Sequence, residues 1–297
     1  MSIGFVEFTL SFKGNDSDNS QIDFYDVSQA LVGFQRSLAL TTHLVLNDKV
    51  ITQSPSLKGA RIIALPPEEG SWKITAAIGL ILTGAYHIST APKDTPLGNL
   101  ISSAYDYVIS ETMGFHVDYS KTLGQQYEEL KKKDGNQIPI LEQHRFDSVI
   151  EKCEFAIKEM HRPIVQSETA TRAQISSSFS DKNHPFKNGL NRETYDFINY
   201  TNEGVVAEEV EGVVSSFNLN TYKGRIFVPE EGRPIPFLLA EQVKNAIDVG
   251  KTIQSLTMNA KDRFNKGSNS GTIRLKVIKY TSRSGRLKSY LVLEVLK

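Results

Sequence analysis

The sequence predicts an α+β protein of two domains, and three observations support this fold class. The chain has 297 residues, of which 39% are hydrophobic, and a chain of this size usually forms two hydrophobic cores. The first part mixes strand-like and long helix-like patterns, whereas the last part is strand-rich. We therefore expect an α+β and helical domain over 1–166, a connecting segment over 167–204 and a small β-barrel over 205–297.

The first domain is predicted to begin with a strand, a long helix and a hairpin. The stretch FVEFTLSF alternates apolar and polar residues, as a half-buried strand does. After Asp23, apolar residues recur with helical spacing and predict an amphipathic helix that reaches about Leu46. These residues are Val27, Leu31, Phe34 and Leu38. The stretches ARIIAL and SWKIT flank the turn-rich PPEEG, which predicts two paired strands.

Further helices are predicted after Pro96, and then the apolar pattern fades. LGNLISSAYDYVISETMG ends in a glycine that suits a helix C-terminus, and YSKTLGQQYEELKKK ends in three lysines that complement the helix dipole. Residues 139–161 carry apolar side chains close to one helical face. Residues 167–189 are rich in Ser, Thr and Asn and poor in large apolar side chains, so we place the interdomain connection there.

The last domain is predicted to be a barrel of six short strands with one short helix. The strands are EEVEGVVSSFNL, YKGRIFVP, RPIPFLLA, KTIQSLTMNAKDR, TIRLKVIKYTS and RLKSYLVLEV, and the helix is EQVKNAID. A helix after the third strand is the OB-fold arrangement, although an SH3-like barrel would show similar strand spacing. The turn SRSG joins the last two strands.

The sequence lacks the motifs of several kinds of functional site. The single cysteine, Cys153, excludes a disulfide framework and a multi-cysteine zinc site, and the six histidines form no HExxH pair. We therefore expect no metal and no cofactor. The string VGKT lacks the first glycine of a phosphate-binding loop. The N-terminus shows no signal-peptide pattern, which favours a cytoplasmic protein.

One enzyme class remains as an alternative. Arg36 and His43 lie on the predicted long helix in RSLALTTH, which has the arginine–histidine spacing of HEPN ribonucleases. In that chemistry the histidine would accept the 2′-hydroxyl proton and the arginine would stabilise phosphate charge. HEPN domains are all-helical, whereas this helix lies among strands, so a structural role for both residues is the competing interpretation.

The longest apolar stretch, ITAAIGLILTGAYHI over 74–88, has three interpretations. At 15 residues it is shorter than the ~20 that a spanning helix needs, so it predicts a buried core element. Its glycines and alanines would also suit a membrane-inserting segment or the packed centre of a subunit contact. The membrane interpretation is the second functional alternative.

Charge separates the two parts of the chain. The whole carries 34 basic and 34 acidic residues, but 205–297 holds 15 basic against 9 acidic residues, a net of +6, which leaves −6 for 1–204. Basic and aromatic side chains alternate in the barrel strands, with Tyr222, Phe227, Tyr280 and Tyr290 as the aromatic members. Such a face predicts binding of nucleic acid or another polyanionic partner. The predicted contact residues are Tyr222, Lys223, Arg225, Arg233, Arg274, Lys276, Arg283, Arg286 and Lys288.

Two other interpretations of this charge stay open. Alternating Lys and Arg can simply keep a sheet soluble and protect its edges. Alternatively, the basic barrel could pack on the acidic half of a neighbouring subunit, and a neutral chain has no net repulsion to oppose this. We therefore expect a homo-oligomer.

The chain also resembles an uncharacterised bacterial family that pairs an α+β domain with a small C-terminal barrel. The likeness covers most of the chain and lies in FYDVSQALVGFQRSLALTTHLVLN, SPSLKGARIIALPPEEGSWKI, TAPKDTPLGNLISSAYDYVISETMGFHVDY and YKGRIFVPEEGRPIPF. The family has no assigned activity, so the resemblance implies no functional residue. It implies a bacterial cytoplasmic protein, with a link to mobile or antiphage-defence loci.

Overall fold

A computed structural model of the chain divides into two compact units, residues 1–198 and 199–297. It describes residues 6–66, 72–81, 88–90, 96–131, 139–141, 143–179, 182–265, 270–282, 285 and 287–296. The first unit mixes helices with an antiparallel sheet, and the second contains a closed barrel. The predicted α+β class with a C-terminal barrel is therefore confirmed.

The first unit contains six strands and six helices among the described residues. The strands are β1 (Val6–Lys13), β2 (Ala60–Ala64), β3 (Lys73–Ile81), β4 (Ile88–Thr90), β5 (Arg172–Phe179) and β6 (Lys182–Pro185). The helices are α1 (Phe24–Asn47), α2 (Pro96–Thr112), α3 (Gln125–Lys131), α4 (Gln143–Glu159), α5 (Arg162–Val165) and α6 (Arg192–Asn199).

The sheet of the first unit is antiparallel, with the order β2-β3-β1-β5-β6 and with β4 paired to β3. Strand β1 lies at its centre and alternates as the sequence predicts. Its inward side chains are fully buried, namely Val6, Phe8, Leu10 and Phe12. Together with apolar side chains of α1, α2 and α4 they form the core of this unit.

Helix α1 packs closely against α4, which fixes one residue type at their contact. A Cβ atom at Gly33 would lie 2.2 Å from the backbone oxygen of Ala156, so only glycine fits there. The N-terminal end of α1 is capped by Asp23, whose carboxylate accepts the Asp26 N–H at 2.9 Å. Asp26 is itself buried and accepts hydrogen bonds from Arg162 Nε and the Ser167 N–H, both at 2.9 Å.

The segment 167–204 does not act as a connection in this structure. It contains β5, β6 and α6, and β5 pairs with β1 along residues 7–13. The inward residues of β5 include Ala173 and Ser177, and the Ser177 hydroxyl accepts a hydrogen bond from Ser102 at 2.6 Å. Small and polar inward residues therefore gave this strand the composition of a loop. The boundary between the two units lies between residues 198 and 199 instead.

The apolar stretch 74–88 lies largely in an inner strand. Residues 74–81 belong to β3, which pairs with β1 on one side and β2 on the other. Ala77 and Ile78 are fully buried, as the core interpretation predicts. Residues 82–87 lie outside the described part. None of the described helices combines the length and the apolar character that crossing a bilayer requires.

The second unit is a barrel of five strands with one long helix. The strands are β7 (Asn202–Asn218), β8 (Lys223–Val228), β9 (Arg233–Leu239), β10 (Thr272–Thr281) and β11 (Leu287–Val295), and the helix is α7 (Ala246–Asn265). The barrel closes in the order β10-β11-β9-β8-β7, with β9 and β11 parallel. A helix between the third and fourth strands of such a barrel is the OB-fold arrangement.

The predicted strand KTIQSLTMNAKDR is wrong, because these residues lie within α7. Its buried positions include Thr252 and Ser255, so the helical stripe consists partly of small polar residues that an apolar pattern does not reveal. Ser255 Oγ accepts the Val214 N–H at 3.0 Å and donates to Gly271 O at 2.6 Å. The polar stripe therefore attaches α7 to β7 and to the start of β10.

Candidate nucleic-acid interface

The outer side of β8 carries three of the residues that a polyanion-binding surface needs. Ile226 and Val228 point into the barrel and are buried. Because side chains alternate along a strand, Lys223, Arg225 and Phe227 lie on the opposite side. Phe227 is 37% exposed, so part of its ring is accessible on the outer side of the strand.

Strand β9 continues this surface with apolar residues. Directly opposite residues of an antiparallel pair share a face. The register places Leu238 opposite Lys223, Pro236 opposite Arg225 and Pro234 opposite Phe227. We call these six residues the β8–β9 face. Lys223, Arg225 and Phe227 alternate along β8 and could be named from the sequence, whereas Pro234, Pro236 and Leu238 become their neighbours only through the strand register.

Arg225 lies at the centre of the β8–β9 face. On its other side the register places Ser216 of β7 opposite it. Only 8% of Arg225 is exposed, so its guanidinium is held in place rather than free to move in solvent. Arginine stays charged under such burial and offers a planar set of donors. A fixed arginine beside an exposed aromatic ring suits recognition of a planar or anionic group.

Tyr222 lies at one end of the β8–β9 face, in the turn that precedes β8. Its φ of 53° is left-handed, and the turn is stabilised by Asn218, whose side-chain oxygen accepts the N–H groups of Asn220 and Thr221. Lys244 Nζ lies 5.2 Å from the centre of the Tyr222 ring and 2.5 Å from a Glu241 oxygen. No local sequence pattern indicates Lys244, because only the fold brings it to this turn.

The side chains of Arg233 and Lys288 form hydrogen bonds to backbone carbonyls of the second unit. Arg233 donates from Nη2 to Leu287 O at 2.8 Å. Lys288 donates from Nζ to Tyr200 O at 3.1 Å and contacts Thr201 Oγ1 at 2.8 Å. These bonds connect the starts of strands, so a structural role accounts for both cations.

The cations of β10 lie opposite acidic residues of β7. The register places Arg274 opposite Glu211 and Lys276 opposite Glu209. Lys279 forms an ion pair with Glu208 at 2.9 Å. We call this arrangement the β7–β10 charge ladder. The prediction that Arg274 and Lys276 extend one continuous basic surface is therefore not supported, since acidic neighbours offset them. Arg283 and Arg286 lie outside the described residues.

Two of the four barrel aromatics do not serve as exposed stacking surfaces. Tyr290 is only 1% exposed and belongs to the barrel core, and burial raises the pKa of its hydroxyl. Tyr280 is half-buried near Glu203. The aromatic surface at the β8–β9 face therefore comes from Phe227 and, at the preceding turn, Tyr222.

Arg36 and His43 do not form a shared site. Both lie on α1, seven residues and so about 10 Å apart along the helix. The Lys58 N–H donates to His43 Nδ1 at 3.1 Å, which leaves the proton of the neutral ring on Nε2. Burial, then Lys58 and Lys49, lower the His43 pKa. Arg36 donates to Thr52 O at 3.2 Å. The histidine thus lacks a free basic nitrogen beside the arginine.

Comparison with known families agrees with the division of the chain into residues 1–198 and 199–297. A model described as a domain of unknown function, DUF7946, matches residues 8–199. The chain belongs to this family. A second model, described as a family of unknown function, DUF7947, matches residues 207–296 and so covers the barrel. The resemblance to an uncharacterised two-domain family is confirmed. Searches of curated proteins and of solved structures gave no match.

Proposed function

We propose that the barrel binds single-stranded nucleic acid through the β8–β9 face. The observation that carries this proposal is the alternation of Lys223, Arg225 and Phe227 on the outer side of one strand, beside prolines of the next. In this proposal the protein acts by binding, without a catalytic step.

The physical basis is a combination of stacking and charge. An aromatic ring stacks on any base and contributes ~1–3 kcal/mol per base, while cations contact phosphates. Prolines and Leu238 give an apolar surface on which a second base or a sugar can rest. OB folds bind oligonucleotides on the face formed by their second and third strands. In this barrel the second and third strands are β8 and β9. That correspondence is an analogy of fold and supports the choice of face alone.

The β7–β10 charge ladder narrows the set of cations that we expect to contact phosphates. Arg274 and Lys276 lie opposite acidic residues and Lys244 is paired with Glu241, so we expect phosphate contacts from Lys223 and Arg225 but not from β10. A duplex would need a broader cationic surface than the β8–β9 face provides. Single strands with accessible bases are therefore the expected ligand.

The test is fluorescence anisotropy of the full-length protein with a labelled 20-nucleotide oligo-dT and a labelled 20-nucleotide oligo-U. We expect Phe227→Ser to weaken binding about 5- to 150-fold, the equivalent of one lost stacking contact. Lys223→Ala should also weaken binding. The matched control is Lys276→Ala, an exposed lysine of the charge ladder, which should leave binding unchanged. Lack of wild-type binding at low salt, or equal loss in the control, would overturn the proposal.

A further inference from the structure

The start of α1 exposes two large aromatic side chains on the surface of the first unit. Phe24 is 85% exposed and Tyr25 is 61% exposed, both in the first helical turn. Three exposed acidic residues, Asp16, Asp18 and Asp23, lie in the short turn and loop directly before this helix. We call these five residues the α1 entry patch.

Hydrogen bonds and one ring contact anchor the segment that carries the α1 entry patch. The Asn15 side chain donates to Glu168 O at 2.7 Å, and the Ser17 N–H donates to Thr169 O at 2.9 Å. The guanidinium of Arg162 lies 5.1 Å from the centre of the Tyr25 ring. An anchored backbone loses less conformational entropy on binding than a mobile one, which favours its use as a contact.

The charged residues of the patch itself are all acidic, and the cation beside it, Arg162, is already paired with Asp26. Residues 14–35 contain four aspartates and no lysine or arginine. The acidic groups that do have cationic partners lie beside the patch, since Asp26 pairs with Arg162 at 2.9 Å and Glu168 pairs with Arg192 at 2.7 Å. For Asp16, Asp18 and Asp23 the structure gives no ion pair within the part of the chain that it describes. The patch is thus complementary to a cationic surface with apolar groups.

We infer that the α1 entry patch binds the β8–β9 face of a second copy of this chain. That face offers Lys223 and Arg225 to the aspartates, and it offers Phe227 and two prolines to Phe24 and Tyr25. The same complementarity holds more broadly, because 205–297 carries a net charge of +6 and 1–204 carries −6. Such a contact joins different surfaces of the two copies, so it is head-to-tail. It does not depend on nucleic-acid binding, although both use the β8–β9 face.

The test exploits the head-to-tail geometry by sedimentation velocity at low salt. The wild type should form species larger than the 33.1 kDa chain as concentration rises. Phe24→Ser removes one surface and Lys223→Glu removes the other, so each variant alone should sediment as a monomer. An equimolar mixture retains one intact pair of surfaces and should form a 1:1 complex of two chains. Val32→Ser, which changes a residue 61% exposed on α1 outside the patch, is the matched control and should behave as the wild type.

Three outcomes would overturn the inference. These are a wild type that stays monomeric at all concentrations, variants that associate as the wild type does, or a mixture that forms no complex. Phe24→Ser should still bind the oligonucleotides, because the β8–β9 face is unchanged in it. Loss of self-association with intact oligonucleotide binding in Phe24→Ser therefore separates this inference from the proposed function. Unchanged self-association of this variant, with oligonucleotide binding intact, would contradict the inference alone.

Discussion

At the scale of single residues, His161 has the environment with the clearest energetic consequence. It is fully buried just after α4, where Nδ1 lies 2.8 Å from Ile157 O and Nε2 lies 2.9 Å from Thr194 Oγ1. A carbonyl only accepts, so Nδ1 carries the proton of the neutral ring, and Nε2 is the acceptor that faces Thr194 Oγ1. Burial lowers the His161 pKa to about 4. The ring is therefore neutral at pH 7 and connects α4 to α6.

This environment predicts a loss of stability in acid. An unfolded histidine has a pKa near 6.5, above the folded value, so protons bind the unfolded state more readily as pH falls from 6.5 towards 4. The contribution of neutral His161 is complete above pH 6.5 and should fall by about 2 kcal/mol by pH 5. Urea unfolding at pH 7 and pH 5 measures this loss. His161→Gln should lose less stability between the two pH values, and equal losses would contradict the assignment.

At the scale of elements, the contact of α1 with α4 depends on one glycine. A Cβ atom at Gly33 would meet the backbone oxygen of Ala156, which cannot move as a side-chain end can. Gly250 lies within α7 with nothing within 4 Å of its Cβ position, so it offers a matched comparison. The same substitution should therefore act with opposite sign in the two helices.

We expect Gly33→Ala to destabilise the first unit by about 1–3 kcal/mol, because the helices must separate to accept the methyl group. Gly250→Ala should stabilise the second unit by about 0.5–1 kcal/mol, because alanine favours helix more than glycine does. Chemical denaturation followed by circular dichroism measures both changes. Equal effects of the two substitutions would show that the α1–α4 contact is looser than described.

Elements with a strong apolar period could be predicted from the sequence, and others could not. Helix α1 was predicted to within about a residue because Val27, Phe34 and Leu38 recur on one face and Asp23 supplies a cap. Strand β5 and helix α7 were missed because they bury Ser177, Thr252 and Ser255. The Thr252 hydroxyl donates to Asp248 O within α7, whereas the hydroxyls of Ser177 and Ser255 bond residues outside their own elements. Such bonds depend on tertiary contacts that a local pattern does not contain.

The candidate site shows the same limit. Alternation on one strand indicated Lys223 and Arg225 as contact residues, but the same reasoning also indicated Arg274 and Lys276. Their offset by Glu211 and Glu209 follows from the pairing of β7 with β10, strands that lie about sixty residues apart in the chain. Charge counted along a sequence therefore overestimates the basic surface wherever strand pairing sets acidic side chains against basic ones.

At the scale of the whole molecule, the chain contains two hydrophobic cores that share no residue. Ser255 is a useful probe of the second, since its side chain bonds both the Val214 N–H and Gly271 O. Removing this hydroxyl would leave a buried backbone N–H without its partner, a loss that costs about 1–3 kcal/mol.

Scanning calorimetry should accordingly resolve two unfolding components. We expect Ser255→Ala to lower the midpoint of one component and Gly33→Ala to lower that of the other, because each substitution affects a different core. If a single component shifts with both variants, the two cores unfold as one cooperative unit.

The central claim is that the β8–β9 face contacts nucleic acid while the β7–β10 charge ladder does not. The most direct measurement is the salt dependence of oligo-dT binding between 50 and 200 mM NaCl. The two phosphate contacts expected from Lys223 and Arg225 predict a slope of log K against log salt of about −1.4 on a single strand. Lys223→Ala should reduce the magnitude of this slope by about 0.7, and Lys276→Ala should not change it. A wild-type slope steeper than about −3, reduced equally by both variants, would contradict the account.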